Sequence, residues 1–144
     1  MLGNIQRDGH ELQQFVSELV TNFPTISSIW LLGSRANATA KPLSDWDILV
    51  FADEQTFNNL KMNDFYHRGA VDLLVVTDGD NFKKPYGGQK TGSLTKWKWK
   101  PTNNDEAQYE GIKFIPDEPG SNLGKFEKGF RKAHLLYRSA KNVS

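Results

Sequence analysis

The 144-residue chain carries 18 Lys and Arg residues against 17 Asp and Glu residues, which gives a formal net charge of +1. This balance excludes a global electrostatic attraction to nucleic acid or to membranes. The absence of cysteine excludes disulfides and thiolate metal sites. No apolar run approaches the roughly 20 residues of a membrane span, and no signal-peptide core is recognisable. We therefore expect a single soluble, cytoplasmic domain over residues 1–144.

The first half of the chain predicts a helix, two strands, a second helix and a third strand. Apolar residues recur at helical spacing before Pro24 and predict an amphipathic helix. Two short apolar strands are expected at residues 27–32 and 46–52, followed by a short helix over residues 53–61. A third strand is expected over residues 70–76, and its apolar composition indicates a central position in the sheet.

The second half predicts a loop, a hairpin and a closing helix. Residues 77–92 are rich in Gly, Asp, Asn, Lys and Pro and predict a loop. Lys and Trp alternate over residues 94–100, which predicts a half-exposed strand with a hairpin partner at residues 109–115. Phe126, Phe130, Ala133 and Tyr137 indicate a C-terminal helix over residues 125–141.

These elements predict an α/β (α+β) fold in which helices cover a small mixed β-sheet. We expect a catalytic core over residues 8–80, with the hairpin and the C-terminal helix occupying residues 90–144.

Acidic residues lie at the start of the predicted central strands. Asp45 and Asp47 are two residues apart, so they share one face of their strand, roughly 6–7 Å apart. If the third strand is adjacent, Asp72 joins them. Two carboxylates about 5 Å apart repel by roughly 3 kcal/mol at an effective dielectric constant of ~20. The sequence therefore predicts a site for a divalent cation such as Mg²⁺, which favours oxygen ligands.

A Gly-Ser turn ends the first predicted strand and suggests a place for phosphate groups. Gly33 allows a sharp turn and close approach of a ligand. The hydroxyl of Ser34 and the N–H groups that follow it can bind an anion if a helical turn begins there. Arg35 and Lys41 are either phosphate contacts or solvated surface charges, and Ser44 is expected to support the loop that carries Asp45.

The ordered set of Gly33-Ser34, Asp45-Trp46-Asp47 and a later Asp72 resembles the signature of the DNA polymerase β-type nucleotidyltransferase superfamily, particularly its small minimal members. The resemblance covers residues 15–76. Small members often have Arg-x-Arg-Gly after the Gly-Ser pair, whereas this chain continues Arg35-Ala36-Asn37-Ala38.

The resemblance implies transfer of a nucleoside monophosphate from a nucleoside triphosphate, such as ATP, to an acceptor, with release of pyrophosphate. It implies that Asp45, Asp47 and Asp72 are catalytic and bind Mg²⁺, with Mn²⁺ as an alternative ion. Gly33, Ser34, Arg35 and Ser44 are the implied nucleotide-binding residues. The acceptor is open between RNA, a protein and a small molecule, and no membrane partner is expected.

Two other functions remain open from the sequence. The departures after Ser34 suggest a non-catalytic protein of the same fold that acts as an antitoxin-like or regulatory partner. The alternating lysines and tryptophans of residues 94–100 suggest a nucleic-acid-binding module, with lysines on phosphates and tryptophans stacked on bases. The two residue types would face opposite sides of a strand, however, and this favours tryptophans in the core.

Overall fold

The structure is a computed structural model that describes residues 12–33, 46–67, 71–87 and 91–140. Within these ranges it has helices α1 (Leu12–Asn22) and α2 (Glu54–Met62), with a 3₁₀ turn at Asp64–Tyr66. The strands are β1 (Ser28–Leu32), β2 (Trp46–Phe51), β3 (Val71–Val76), β4 (Asn81–Lys83), β5 (Thr91–Ser93), β6 (Lys100–Pro101), β7 (Glu106–Pro116) and β8 (Gly124–Arg138). The predicted mixed α+β architecture is confirmed.

The described strands form one sheet in the order β5-β4-β3-β2-β1-β8-β7-β6. Only β2 and β3 pair in parallel; the other neighbours pair antiparallel. The sheet is thus mixed, as predicted, but with its eight strands it is larger than the small sheet that the sequence suggested.

Alternation along the central strands divides the core between the two faces of the sheet. Ile29, Ile48 and Val50 belong to a cluster that includes Phe15 and Leu19 of α1 and Phe57 and Leu60 of α2. The alternate residues Trp30, Leu49 and Leu74 belong to a second cluster, with Phe82, Tyr109 and Ala133. Side chains of a strand point to opposite faces in turn, so burial on both faces makes the central strands apolar throughout. Asp47 and Asp72 project toward the second face.

The predicted C-terminal helix is wrong, because residues 124–138 form β8. This strand pairs with β7 from Pro116↔Gly124 to Glu106↔His134, and its end pairs with β1. A spacing of four residues fits a helix and also fits one face of a strand, so Phe126 and Phe130 did not discriminate between them. Long-range pairing decided the outcome, and these two rings are 71% and 51% exposed rather than buried.

The predicted Lys/Trp strand is also wrong. Residues 94–98 form turns, in which the N–H of Trp97 donates to the carbonyl of Ser93 at 3.2 Å and Lys98 has a positive φ of 56°. The ring of Trp97 lies 4.5 Å from that of Phe82, measured between centroids. The ring of Trp99 lies 5.2 Å from that of Trp30. The tryptophans therefore join the core, as the sequence favoured, and do not form a base-stacking ribbon.

The region predicted to be a loop at residues 77–92 contains two short strands, β4 and β5, which extend the sheet beyond β3. Strands of three residues are too short for their alternation to be visible in the sequence. No helix among the described residues combines the length and the apolar character needed to cross a membrane.

Candidate active site

Two of the three predicted carboxylates are neighbours in the sheet. Asp47 in β2 is paired in register with Asp72 in β3, and Leu32 of β1 lies opposite Asp47 on the other side. Directly opposite residues in adjacent strands point to the same face, within about 5 Å of each other at the backbone. Both carboxylates are only half-buried. The condition set for Asp72 is therefore met, because β3 lies beside β2, and its role as a metal ligand stays a prediction.

Gly33 directly follows β1 and lies next to Asp47, where there is no room for a side chain. Its φ is +70°, a left-handed conformation that favours glycine. A Cβ atom at this position would overlap Oδ2 of Asp47 and lie 3.2 Å from its Cγ. Glycine is thus required twice, once by the backbone and once by the close approach of the carboxylate.

The backbone N–H of Gly33 donates a hydrogen bond to the hydroxyl of Tyr109, at 2.8 Å. Tyr109 comes from β7, 76 residues further along the chain, and was not among the predicted site residues. In this structure the Gly33 N–H thus contacts a side chain of the protein itself. The predicted role of Gly33 in phosphate binding remains a prediction.

Tyr109 is buried at the edge of the site. Burial raises the pKa of its phenol above the usual value of 10.0, because the phenolate is poorly solvated there. The carboxylate of Asp47 acts in the same direction. The hydrogen bond from Gly33 and the charge of Arg131 act against both, without reversing the shift. The hydroxyl therefore stays protonated at neutral pH and can serve as a hydrogen-bond donor.

Asp72 has a cationic partner that the sequence did not indicate. The ammonium of Lys84 lies 2.7 Å from Oδ1 of Asp72, and the side chains are 17% and 33% exposed, respectively. Lys84 follows β4 in a polar segment with no pattern of its own, so only the tertiary structure identifies it.

A cavity of about 160 Å³ opens on these groups, lined by Leu32, Gly33, Asp47, Asp72, Leu74, Trp97 and Tyr109. Trp97 and Tyr109 also line a second cavity of about 380 Å³ that includes Lys96, Ile112 and Lys128. Pockets for small molecules usually have volumes of ~300–1,000 Å³. The first cavity alone is smaller than this range, and the second cavity lies within it.

The donors in the first cavity suit a divalent cation. Two neighbouring carboxylates at a partly open position supply the hard oxygen ligands that Mg²⁺ prefers, and they leave positions for water or phosphate. Among the described residues, no group of three acidic or histidine side chains meets at a metal-binding distance. Asp45, the third predicted ligand, lies outside them. The residues present fit the ion, and the complete ligand set remains a prediction.

Several other predicted site residues lie outside the described residues. Ser34, Arg35, Lys41 and Ser44 all belong to the segment between β1 and β2. The structure therefore brings together Gly33, Asp47 and Asp72, and it adds Tyr109, Lys84 and Trp97 to the site. Trp97 was expected in the core; it packs against the core and also lines the cavity.

Comparison with known proteins bears on the same part of the chain. Residues 14–84 match the family described as polymerase beta, nucleotidyltransferase. This segment includes Gly33, Asp47, Asp72 and Lys84. This match confirms the resemblance seen in the sequence, over residues 14–84.

A solved structure is similar to about half of the chain. It is the crystal structure of a proposed nucleotidyltransferase from Sulfolobus solfataricus, with 29% sequence identity and a TM-score of 0.41. The match covers 47% of this chain and 65% of the Sulfolobus chain. No curated protein matches the sequence.

Proposed function

We propose that this protein is a metal-dependent nucleotidyltransferase. It transfers a nucleoside monophosphate from a nucleoside triphosphate to an acceptor and releases pyrophosphate. The observation that carries the proposal is the pairing of Asp47 with Asp72 beside the glycine turn, inside the segment that matches the family. In the same proposal, the sheet and helices around these residues form a nucleotidyltransferase fold.

Asp47 and Asp72, together with Asp45, would hold Mg²⁺ or Mn²⁺. When bound, the ion neutralises charge on the triphosphate and lowers the pKa of the acceptor hydroxyl. In the reaction, the acceptor oxygen forms a bond to the α-phosphorus and the bond to the pyrophosphate oxygen breaks. Asp72 is a candidate to receive the hydroxyl proton.

Gly33 and Ser34 would place the triphosphate, with Arg35 as a further phosphate contact and Ser44 supporting Asp45. The tight contact of Gly33 with Asp47 supports this arrangement, because it keeps the turn and the carboxylate at a fixed separation. The acceptor would enter through the cavity of about 380 Å³, which shares Trp97 and Tyr109 with the carboxylate cavity.

A thermal-shift panel tests the nucleotide site. ATP, CTP, GTP and UTP are each added with and without Mg²⁺ to wild type, to Asp45→Asn/Asp47→Asn and to Asp117→Asn, whose carboxylate lies in the exposed turn between β7 and β8. A ligand at ~100 times its Kd stabilises by about 2.7 kcal/mol, which raises the Tm of a domain of this size by roughly 5–10 °C. We expect a Mg²⁺-dependent shift in wild type and in Asp117→Asn, and none in the double variant.

Turnover is measured separately, as pyrophosphate release with candidate RNA, protein and small-molecule acceptors. Nucleotide binding without release on any acceptor would favour the non-catalytic, antitoxin-like alternative. The absence of any nucleotide shift would refute the proposal.

A further inference from the structure

We propose that Lys84 is a resident counter-ion of the carboxylate pair, which neutralises Asp72 when no divalent cation is bound and leaves it when one binds. Lys84 would then set the metal affinity of the site as a positioning residue. This inference rests on the proposed function, because it assumes that Asp47 and Asp72 bind a cation.

The ion pair of Lys84 is unlike the other lysine pairs of the described residues. Its ammonium contacts Asp72 at 2.7 Å with 17% of the side chain exposed, whereas Lys83, Lys98 and Lys125 are 35%, 64% and 71% exposed in their pairs. A largely buried ammonium is stabilised by pairing with a carboxylate, because few water molecules reach it. Lys84 is therefore held at Asp72 rather than resting there as a surface charge.

The fold explains why Lys84 and not its neighbour meets the site. β4 pairs antiparallel with β3, with Lys83 opposite Val75. Successive residues point to opposite faces, so Lys83 projects away from the site and contacts Glu54 at 2.6 Å above the ring of Phe57. Lys84 projects toward the face that carries Asp72. The two adjacent lysines thus have pairs of similar length but different surroundings.

The position of Lys84 is incompatible with full coordination of a cation by Asp72. The ammonium occupies Oδ1, and a divalent ion bound to the same carboxylate would lie within a few ångströms of a like charge. Lys84 also lines a cavity of about 550 Å³ beside α2, together with Lys61, Tyr86 and Thr91. In the proposal, a change of side-chain rotamer moves the ammonium from Asp72 toward this open space.

The test is Mn²⁺ titration, by calorimetry, of wild type, Lys84→Met, Lys84→Arg and Lys83→Met, with Lys84→Gln as a second neutral variant. We expect the Kd for Mn²⁺ to fall about tenfold or more in Lys84→Met and Lys84→Gln, since one unit of positive charge a few ångströms from the ion is removed. Lys84→Arg keeps the charge and should stay near the wild-type value. Lys83→Met, the matched control, should leave the Kd unchanged.

A second readout separates this role from a purely structural one. In EDTA, Lys84→Met should lower the Tm, because the carboxylates lose their counter-ion. In saturating Mn²⁺ the difference from wild type should vanish or reverse, since tighter binding to the folded state restores stability. A structural lysine would give the same loss of Tm in both conditions.

Two results would overturn the inference, and they are distinguishable. If wild type binds Mn²⁺ and both Lys84→Met and Lys84→Gln bind it equally or more weakly, the role of Lys84 is refuted. The proposed function is unaffected by that result. Wild type that binds no Mn²⁺, with or without nucleotide, refutes the metal site itself and the inference with it.

Discussion

Replacing Gly33 by alanine tests the contact on which the site is built. Two separate penalties are expected. An alanine in the left-handed region costs about 1–2 kcal/mol, of which a few tenths are offset by lower entropy of the unfolded chain. The new methyl group would also overlap Oδ2 of Asp47. Overpacking of this kind costs about 1–3 kcal/mol.

The free energy of unfolding should therefore fall by about 2–5 kcal/mol in Gly33→Ala. For a chain of 144 residues, each kcal/mol corresponds to about 3 °C in Tm, so the melting temperature should fall by roughly 6–15 °C. The measurement is urea denaturation followed by tryptophan fluorescence, with Tm taken from a parallel thermal melt.

The chain offers matched controls for the backbone part of this penalty. Gly79 and Gly120 have φ values of +83° and +81°, and a Cβ atom at either would meet nothing within 4 Å. Gly79→Ala and Gly120→Ala should therefore lose only about 1 kcal/mol each. The difference from Gly33→Ala measures the overlap with Asp47.

A double-mutant cycle then assigns that difference to one side chain. An Asp47→Ala background removes the two atoms nearest to a Cβ at Gly33, and the nearest remaining contact is the Cβ of residue 47 at 3.5 Å, which is ordinary. The cost of Gly33→Ala should fall there to that of the controls, with a coupling of about 1–3 kcal/mol. The reasoning would be refuted if Gly33→Ala and Gly79→Ala lowered the free energy of unfolding equally in the wild-type background. It would also be refuted if the cycle showed no coupling between positions 33 and 47.

Three further predictions concern the ionisable groups Asp47, Tyr109 and Asp78. Asp47→Asn should leave the Tm in EDTA unchanged or slightly higher, because it relieves repulsion with Asp72; a loss of several degrees would mean that Asp47 is structural and would contradict the metal site. Tyr109→Phe should cost about 1 kcal/mol at neutral pH by removing the acceptor for Gly33. Since the phenol has a raised pKa in the folded state, wild type should lose stability as the pH rises above 10 toward that pKa. If urea denaturation shows the same loss of stability in Tyr109→Phe, the loss does not come from Tyr109. Asp78 accepts bonds from Asn81 and from the backbone N–H groups of Asp80 and Asn81, which lower its pKa from 3.8 to about 2. Its stabilisation is complete above pH 3.8 and should disappear as the pH falls through about 2, so the Tm difference between wild type and Asp78→Asn should vanish there; a difference that persists unchanged would exclude the carboxylate as its source.

Local patterns in the sequence were sufficient to predict the helices and central strands of the sheet. Helical spacing located α1 and α2, and alternation placed Asp47 on the face opposite Ile48 and Val50. These features depend on residues a few positions apart, so they can be predicted from the spacing of apolar residues along the chain. The resemblance of Gly33 and the carboxylates to the nucleotidyltransferase signature likewise needed only their order along the chain.

Other features depend on residues far apart in the chain, and only the tertiary structure decided them. The spacing of Phe126 and Phe130 fits a helix as well as a strand, and pairing with β7 selected the strand. The hydrogen bond between Gly33 and Tyr109 joins residues 76 positions apart. Lys84 reaches Asp72 because β4 turns back along β3. Periodicity determines which face a side chain occupies, but the strand order and register that bring two such faces together arise from packing of the whole sheet.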